Sequence, residues 1–384
     1  MAKGVIYLDY AATTPLDPRV AAAMEPYWHQ RFGNAHSSSH SFGWEAEEAV
    51  IAARRQVAAA IGANPREIVF TSGATEANNL ALLGLARGLA AQGMGETLLM
   101  AARTEHPSIT RAIDHLVQNG CGYRPLPVER SGAIPTSCLA DLEPSSCRNL
   151  ILSVMAVNNE TGVIQPIAEI RRAVAAAFPK ARIFLLVDAA QAVGRIAVNP
   201  ATWGADLVSL SSHKFYGPKG IGLLYIRREI HEWIEPLVYG GGQEKSLRPG
   251  SLPVPLIVGM GEAASLASHD PEPEEERLAR LANLLCAGLK AAGIRFHRNG
   301  GGVAGIINLQ LLGQSARDFV AKAPRLALSL GSACHHAELA PSPSLLAMGL
   351  SPEQALSSFR LCLGRYTTES EVIAAVDEIS QAAD

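Results

Sequence analysis

A lysine that directly follows an apolar strand is the residue of this chain most suited to covalent chemistry. The stretch 206–222 reads DLVSLSSHKFYGPKGIG, where small hydroxyl residues and then Lys214 follow the apolar run Leu207–Leu210. Burial disfavours the charged ammonium, and a neutral lysine amine is a nucleophile that can hold an aldehyde as a Schiff base. The alternative is a strand end with an ordinary solvated lysine, and the motif alone does not exclude it.

The segment 71–90, TSGATEANNLALLGLARGLA, predicts a strand end, a tight turn and the start of a helix. Free backbone N–H groups and the helix dipole at such a turn favour an anion such as a phosphate. Gly73 lets the backbone come close to the anion, and Thr75 can add a hydroxyl. A capping box with Ser72 or Thr75 at the cap and Glu76 behind it explains the same residues equally well.

Asp188 lies directly after the apolar run in LLVDAAQAVG, residues 185–194. A buried carboxylate needs a partner, and the protonated nitrogen of a pyridine ring is one. A carboxylate at that nitrogen keeps the ring an electron sink. Gln191, one turn further on, can reach a hydroxyl on the same ring. The alternative is that Asp188 only caps a helix.

Two further turns carry polar side chains, TEHPSI at 104–109 and VNNETG at 157–162. His106 in the first turn can stack on a cofactor ring and move protons near neutral pH. Asn159 in the second turn offers an amide. A surface loop histidine and ordinary turn chemistry are the alternatives for these two residues.

Cys334 is the candidate thiol nucleophile. The segment 328–350, LSLGSACHHAELAPSPSLLAMGL, has no helical or strand period before Pro341, so we expect an accessible loop. His335 and His336, if protonated, would lower the pKa of the Cys334 thiol. The alternatives are an inert loop thiol and a metal ligand, and adjacent residues rarely wrap one tetrahedral ion.

The segment 357–369, SSFRLCLGRYTTE, carries Arg360 and Arg365. An arginine on a strand that faces a site grips a substrate carboxylate with two parallel hydrogen bonds. Many strand arginines instead make only surface ion pairs, and the sequence does not distinguish the two cases.

Short β-rich runs alternate with amphipathic helical segments between about residues 65 and 226. Such alternation predicts an α/β fold with a mostly parallel sheet and helices on both faces. Ligands of these sheets bind at the carboxyl ends of the strands, where most of the candidates above fall. We predict strands at Ile68–Thr71, Thr97–Ala101, Ile151–Val154, Ile183–Val187, Leu207–Leu210 and Gly222–Ile226.

Composition excludes several classes of protein. The 384 residues include 48% hydrophobic and 18% charged ones, which supports a sizeable core and excludes global disorder. The net charge of −3 without blocks of like charge argues against nucleic acid as a partner. We find neither an apolar run that could span a membrane nor a secretory signal. The 6 cysteines lack CxxC spacing, so we expect no metal site, no disulfide framework and a reducing cytoplasm.

The glycine- and proline-rich stretch 240–255 predicts a domain boundary. We expect a large domain over residues 13–255 and a smaller α+β C-terminal domain over 256–384. The first dozen residues, 1–12, are expected to join the smaller domain. A long amphipathic helix is predicted within residues 271–292.

Taken together, these residues resemble the class V aminotransferase-like group of enzymes that use pyridoxal 5′-phosphate (PLP). More narrowly, the chain resembles the cysteine desulfurases of the NifS/IscS type. The matching motifs run in family order across nearly the whole chain and are YLDYAATTP (7–15), FGNAHSSSH (32–40), TSGATEANN (71–79), TEHPS (104–108), VNNETGVIQPI (157–167), VDAAQAVG (187–194), SSHKFYGPKGIGLLY (211–225), GGGQE (240–244), LPVPLIVGMGEA (252–263), LGSAC (330–334) and LGRYTTESE (363–371).

The resemblance implies the type I PLP-dependent transferase fold and a homodimer with each site at the subunit interface. It implies that Lys214 binds the cofactor covalently and moves protons, that Asp188 pairs with the ring nitrogen, and that His106 stacks on the ring. Gln191 is implied to bind the ring oxygen, and Asn159 to lie beside the cofactor. The residues implied to hold the phosphate are Ala74 through its backbone, Thr75, Ser211, His213 and, from the other subunit, Ser251.

The resemblance also implies the reaction. Asn34 and Arg360 would position the carboxylate of L-cysteine, and Cys334 would take the sulfur as a persulfide while L-alanine leaves. The sulfur would pass to an acceptor protein, such as an iron–sulfur scaffold or a tRNA-thiolation relay.

Some positions depart from the family pattern. Ser251 stands where the family usually has threonine, and the short C-terminus leaves scaffold docking open. A histidine after Cys334 and the RPG at 248–250 are similar to selenocysteine lyases, so selenocysteine lyase is the alternative activity. A non-catalytic binding subunit is a third reading.

Overall fold

A seven-stranded, mostly parallel sheet organises the larger part of the chain. The computed structural model describes residues 4–139, 142, 147–267, 272–330 and 340–383. Its strands are β1 (Ile6–Tyr7), β2 (Ile68–Thr71), β3 (Thr97–Ala102), β4 (Gly122–Leu126), β5 (Asn149–Met155), β6 (Arg182–Asp188), β7 (Leu207–Ser211), β8 (Gly222–Ile226), β9 (Phe296–Asn299), β10 (Ile306–Leu311), β11 (Leu326–Ala327) and β12 (Ser358–Cys362).

The large sheet has the strand order β2-β8-β7-β6-β5-β3-β4. Neighbouring strands run parallel except that β8 is antiparallel to both β2 and β7. Strands β5 and β7 are buried along their whole length, which explains why their sequences are continuous apolar runs rather than alternating ones. The carboxyl ends of β2, β3, β5, β6 and β7 therefore meet at one edge.

Helices cover both faces of this sheet. The helices are α1 (Pro18–Met24), α2 (Pro26–His29), α3 (Ser41–Ala60), α4 (Ala74–Asn79), α5 (Leu85–Ala91), α6 (Pro107–Gln118), α7 (Thr136–Leu139), α8 (Ile167–Ala177), α9 (Pro200–Trp203), α10 (Val254–Ala267), α11 (Glu272–Ala291), α12 (Ala316–Lys322), α13 (Pro343–Ala347), α14 (Pro352–Leu356) and α15 (Glu369–Ala383). The apolar residues of α1, α3, α8 and α10 share one core, and those of α4, α5 and α6 share the other. Among these described helices, none has both the length and the apolar character needed to span a bilayer.

A smaller unit combines the C-terminal elements with the start of the chain. Strands β12, β10 and β9 form an antiparallel sheet, and the short strands β1 and β11 pair in parallel. Residues Ile6 and Leu8 pack in one core with α11 and α15. The domain bounds 13–255 and 256–384 stay a prediction. Helix α10 packs in the core of the large sheet, which favours a boundary after Ala267.

The α/β class and the mostly parallel sheet that the sequence predicts are confirmed. The predicted bounds of β2 and β8 are those observed, and the other four predicted strands are one to three residues longer in the structure. Strand β4 was not predicted. It is an edge strand whose first four residues are not buried, so its sequence, GYRPL, lacks the apolar run on which the prediction depended.

Candidate active site

A cavity of about 640 Å³ opens at the carboxyl edge of the large sheet. This volume lies within the range usual for small-molecule and cofactor sites. Ten of the residues that the sequence analysis singled out line it: Ala74, Thr75, His106, Asn159, Asp188, Gln191, Ser211, His213, Lys214 and Arg360. The convergence expected from the strand ends is therefore present in a single chain.

Lys214 ends a short 3₁₀ turn, Ser212–Lys214, that directly follows β7. Its Nζ donates hydrogen bonds to the backbone carbonyls of Ala11 and Ala12, both at 2.8 Å. Burial, together with the positive charges of Arg360 and Arg195, lowers the pKa of Lys214 to about 8. A substantial fraction of a lysine with this pKa is the neutral amine near physiological pH, so Lys214 is a competent nucleophile.

Asp188 is the last residue of β6, and only 4% of its surface is exposed. Its Oδ2 accepts a hydrogen bond from Nδ2 of Asn78 at 3.0 Å, and its Oδ1 accepts one from the backbone N–H of Ala190 at 3.0 Å. Both contacts are neutral, so the carboxylate faces the cavity with its charge available to a cationic partner. The proposed alternative, a simple helix cap, does not explain the contact with Asn78.

His106 is the N-cap residue of α6, and its ring lies at the cavity wall. Its Nδ1 accepts a hydrogen bond from the backbone N–H of Ser108 at 3.1 Å. The hydroxyl of Ser108 also accepts a hydrogen bond from Nδ2 of Asn78 at 2.9 Å, which links His106 to the residue that holds Asp188. Desolvation at the wall lowers the pKa of His106, so the neutral imidazole that can accept a proton dominates at neutral pH.

The turn between β2 and α4 forms the end of the cavity that suits an anion. Of the alternative capping box, the described residues show one half: Glu76 accepts the backbone N–H of Ser72 at 2.7 Å, but neither the Ser72 nor the Thr75 side chain caps α4. The backbone N–H groups of the first turn thus remain available for an anion. Strand β8 must approach this turn closely, since a Cβ at Gly222 would lie 2.6 Å from the Cα of Gly73.

Ser211, the last residue of β7, and His213 in the turn that follows also line the cavity. Ser211 is buried, and Nδ1 of His213 lies 3.0 Å from the hydroxyl of Thr13. Burial lowers the pKa of His213 to about 4, so its imidazole is neutral at physiological pH. A neutral His213 contributes a hydrogen bond rather than a charge.

Gln191 and Asn159 also line the cavity. The amide Nε2 of Gln191 donates to the carbonyl of Ala11 at 2.8 Å, and its Oε1 accepts from Nη1 of Arg195 at 2.8 Å. The same carbonyl of Ala11 accepts from Lys214, so one backbone group of the N-terminal segment aligns both side chains.

Arg360 approaches the cavity from strand β12 of the smaller unit, and only 5% of its surface is exposed. Its Nη2 donates to Oδ1 of Asp9 at 2.6 Å, and its Nη1 donates to the carbonyl of Asn159 at 2.7 Å. The remaining Nε is buried and has no hydrogen-bond partner among the described residues. A buried guanidinium with an unpaired donor at a cavity is suited to an anionic ligand.

A comparison with models of known protein families assigns the chain to a family. The model of the aminotransferase class-V family matches residues 6–374, nearly the whole chain. The chain belongs to the aminotransferase class-V family.

Individual relatives narrow the class V assignment. A protein of Rickettsia felis named cysteine desulfurase IscS is 43% identical over 382 residues, which cover 99% of this chain and 91% of that relative. Among solved structures, a NifS-like protein superposes with a TM-score of 0.88 at 29% identity, covering 98% of each chain. A structure titled SspA in complex with cysteine has a TM-score of 0.80 at 32% identity, covering 94% of this chain and 99% of that one. The predicted NifS/IscS resemblance and the predicted fold are confirmed.

Three residues that the sequence analysis assigned to the site are not among those observed to line the cavity. Asn34 and Ser251 are exposed and do not line the cavity. Cys334 lies outside the described residues. Ser329, the fifth residue before Cys334, lines the cavity and bridges to Arg360.

Sequence reasoning missed several residues of the site. Asn78 donates a hydrogen bond to Asp188. Its position in TSGATEANN, one turn after Thr75, could have indicated that it lies at the site. Asp9 pairs with Arg360, and the carbonyls of Ala11 and Ala12 hold Lys214. These contacts join residues more than 200 positions apart in sequence, so only the fold brings them together.

Proposed function

We propose that this chain is a PLP-dependent cysteine desulfurase, which converts L-cysteine to L-alanine and transfers the sulfur to its own Cys334. The observation that carries the proposal is the placement of Lys214 and Asp188 at one cavity. This placement belongs to a chain whose relatives at over 40% identity are cysteine desulfurases. Members of the class V family and the cysteine desulfurases depend on PLP, which makes PLP the cofactor to test against the site.

The residues at the cavity match the functional groups of PLP. The uncapped turn before α4, with Ala74, Thr75, Ser211 and His213 around it, suits the phosphate. The buried carboxylate of Asp188 suits a protonated ring nitrogen, and its two hydrogen bonds come from neutral donors that leave its charge uncompensated.

The rest of the site matches the remaining groups of the cofactor. His106, Gln191 and Asn159 line the same cavity, where His106 would stack on the ring and the two amides would lie near the ring oxygen. Lys214, whose pKa is lowered to about 8, is the amine that would hold the aldehyde. When bound, PLP withdraws electrons from the substrate Cα and so makes the Cβ–S bond of cysteine cleavable.

The chain's own residues would bind the substrate, transfer protons and accept the sulfur. Arg360, which lines the cavity, would bind the carboxylate of L-cysteine, while its contacts with Asp9 and Asn159 fix the orientation of the guanidinium. Lys214 and His106 would move protons at the substrate, since the pKa of Lys214 is lowered to about 8 and the neutral imidazole of His106 can accept a proton. The thiolate of Cys334 accepts the sulfur, so the Cβ–S bond of the substrate breaks and an S–S bond forms on Cys334.

We also propose that the enzyme is a homodimer. Asn34 and Ser251 lie away from the cavity of their own chain, yet both border one groove of about 510 Å³, whose lining includes the adjacent residues Ala35 and Leu252. Exposed aromatic side chains occur in the same part of the chain, and the ring centroids of Phe32 and Phe42 lie 5.4 Å apart in a tilted arrangement. A second copy seated there would cover the aromatic rings and bring Asn34 and Ser251 to its own cavity. Sedimentation at the monomer mass would contradict this arrangement.

The sulfur acceptor and the compartment are further parts of the proposal. The acceptor is a protein with a reactive thiol or a scaffold that takes sulfur from the Cys334 persulfide, for iron–sulfur clusters or for tRNA thiolation. A reducing cytoplasm suits this chemistry, and the described cysteines Cys121, Cys138, Cys286 and Cys362 form no disulfide.

Mass spectrometry of the protein after exposure to L-cysteine tests the function. We expect one extra sulfur on Cys334, and one alanine formed for each sulfur bound. Lys214→Ala should abolish both products together with the visible absorption of the bound cofactor. Cys138→Ser is the matched control, because Cys138 is an exposed free thiol away from the cavity.

Two results would contradict this proposal. If Cys334→Ser formed alanine from cysteine at the wild-type rate, the thiol would not be the sulfur acceptor. If the same variant retained full turnover of selenocysteine while wild-type protein turned over cysteine slowly, the activity would be that of a selenocysteine lyase.

A further inference from the structure

Glu105 is a buried carboxyl group that the proposed mechanism does not use. It lies between β3 and α6, directly before His106, and only 5% of its surface is exposed. Its Oε1 accepts a hydrogen bond from the backbone N–H of Met155 at 2.6 Å. Its Oε2 is buried and has no hydrogen-bond partner among the described residues. An ionised carboxylate in this position would be a buried charge that only neutral donors face, which is costly.

The contact with Met155 connects Glu105 to the ring end of the cavity. Met155 is the last residue of β5, lines the cavity and lies opposite Asp188 in the register of β5 and β6. The next residue, Ala156, donates its backbone N–H to the carbonyl of Asp188 at 2.9 Å. Glu105 therefore holds the strand end that positions Asp188.

The groups around Glu105 favour its neutral form. Besides burial, the negative charge of Asp188 on β6 raises the pKa of Glu105. The phenol of Tyr123 on β4 also faces this carboxyl, and burial together with the charge of the carboxyl raises the pKa of Tyr123. Among the described residues, only the backbone N–H of Met155 and the hydroxyl of Ser153, both on β5, act in the opposite direction, and neither group is a lysine or an arginine. Burial accordingly raises the pKa of Glu105 to about 8.

We propose that Glu105 is a positioning residue that works as a neutral carboxylic acid, so that Asp188 rather than a pair of carboxylates supplies the negative charge beneath the ring site. The effect on the ring site rests on the proposed function, whereas the protonation of Glu105 does not. An ionised Glu105 would place a second negative charge beside Asp188 and strengthen the hold on any cation in the cavity.

Urea unfolding of the cofactor-free protein across pH tests the protonation. The folded pKa of Glu105 lies above that of the unfolded chain, so its contribution to stability falls as pH rises from about 4.5 to 8 and is constant above. Glu105→Gln keeps the shape and cannot ionise, so its stability relative to wild type should increase across that window. Glu96→Gln, at an exposed glutamate, is the control and should show a flat difference.

A flat difference for Glu105→Gln as well would mean that Glu105 is ionised in the folded protein, and the proposal would be wrong. If Glu105→Gln did not fold, the infrared carbonyl band of a protonated carboxyl in the wild-type apoprotein decides. We expect that band to persist at pH 7 and disappear with a midpoint near 8, and its absence at pH 7 would overturn the proposal.

The second readout uses the PLP-loaded protein. Titration of the visible absorption should show a step near pH 8 in wild type that Glu105→Gln lacks, because only wild type gains a charge there. Protein that binds no PLP would contradict the proposed function and leave the unfolding result standing. A loaded protein with the same step in both variants would contradict the role of Glu105 at the ring site.

Discussion

Strand β12 and the loop after it carry two arginines that look alike in sequence and differ in the structure. Arg360 pairs with Asp9, and Arg365 pairs with Asp17, each at 2.6 Å. Asp17 also accepts hydrogen bonds from Arg19 and from the hydroxyl of Tyr366 at 3.0 Å, whereas the described contacts of the Asp9 carboxylate are confined to Arg360. Both aspartates come from the N-terminal segment, so both pairs tie this segment to the smaller unit.

The surroundings of Arg365 are those of a structural ion pair. Its guanidinium lies over the ring of Tyr216, 4.1 Å from the centroid, and its backbone N–H donates to the Tyr216 hydroxyl at 2.5 Å. Tyr216 has a φ of 68°, a left-handed conformation that is strained for an aromatic residue, and it follows Lys214 by two positions. Arg365 thus holds the strained end of the turn that carries the lysine.

The contacts and the burial of the two guanidinium groups distinguish an arginine suited to binding from a structural one. Arg365 faces an aspartate that several donors share, and it has an aromatic ring beneath it. Arg360 is nearly fully buried, faces the cavity and keeps one buried N–H without a described partner. Because a buried donor gains from a partner, Arg360 rather than Arg365 is the arginine that we propose to bind the substrate carboxylate.

The largest effect is expected from Arg360→Gln. Truncating one partner of a buried charge pair costs about 2–5 kcal/mol, so kcat/KM for cysteine should fall by roughly 30- to 5,000-fold with PLP still bound. Arg365→Gln is the matched control and should lower kcat/KM by less than about tenfold, since Arg365 acts only through Tyr216. Steady-state kinetics on both variants measure this, and equal losses would erase the distinction between the two arginines.

The sequence could indicate both arginines but not their roles. Lys214 and Asp188 were predictable because each directly follows an apolar strand, and parallel strands bring their carboxyl ends together. The role of Arg360 depends on Asp9, 351 positions away, and on a buried N–H that no pattern of letters reveals. Glu105 was missed for a related reason, since its place beside Asp188 depends on the register of β5 and β6.

A smaller effect is expected from Asp17→Asn, and it should depend on pH. The hydrogen bonds from Arg19 hold the pKa of Asp17 well below its usual range, against the opposing effect of burial. Such a carboxylate stabilises the fold above the unfolded pKa of about 4, and the stabilisation is lost as pH falls below it. Urea unfolding should show a loss on the order of 2 kcal/mol at pH 7 that shrinks toward pH 3.

Asp114→Asn is the control for that measurement. Asp114 is exposed and pairs with Arg111 at 3.8 Å on the surface of α6, so its removal should change stability by less than about 0.5 kcal/mol. A loss of stability in Asp17→Asn that stays the same from pH 7 to pH 3 would mean that the negative charge of Asp17 does not stabilise the folded protein.

The smallest effect is expected from Tyr216→Phe. The variant keeps the ring under Arg365 and the left-handed backbone, and it removes only the hydroxyl that accepts the backbone N–H of Arg365. Loss of one partly buried hydrogen bond costs about 1 kcal/mol, so the urea midpoint should fall slightly. Because Lys214 keeps its contacts with Ala11 and Ala12, its pKa and the pH profile of turnover should not move. A shift of that profile would mean that Arg365 acts on Lys214 through the Tyr216 hydroxyl. In that case both arginines would contribute to catalysis, and Arg365 could not be described as purely structural.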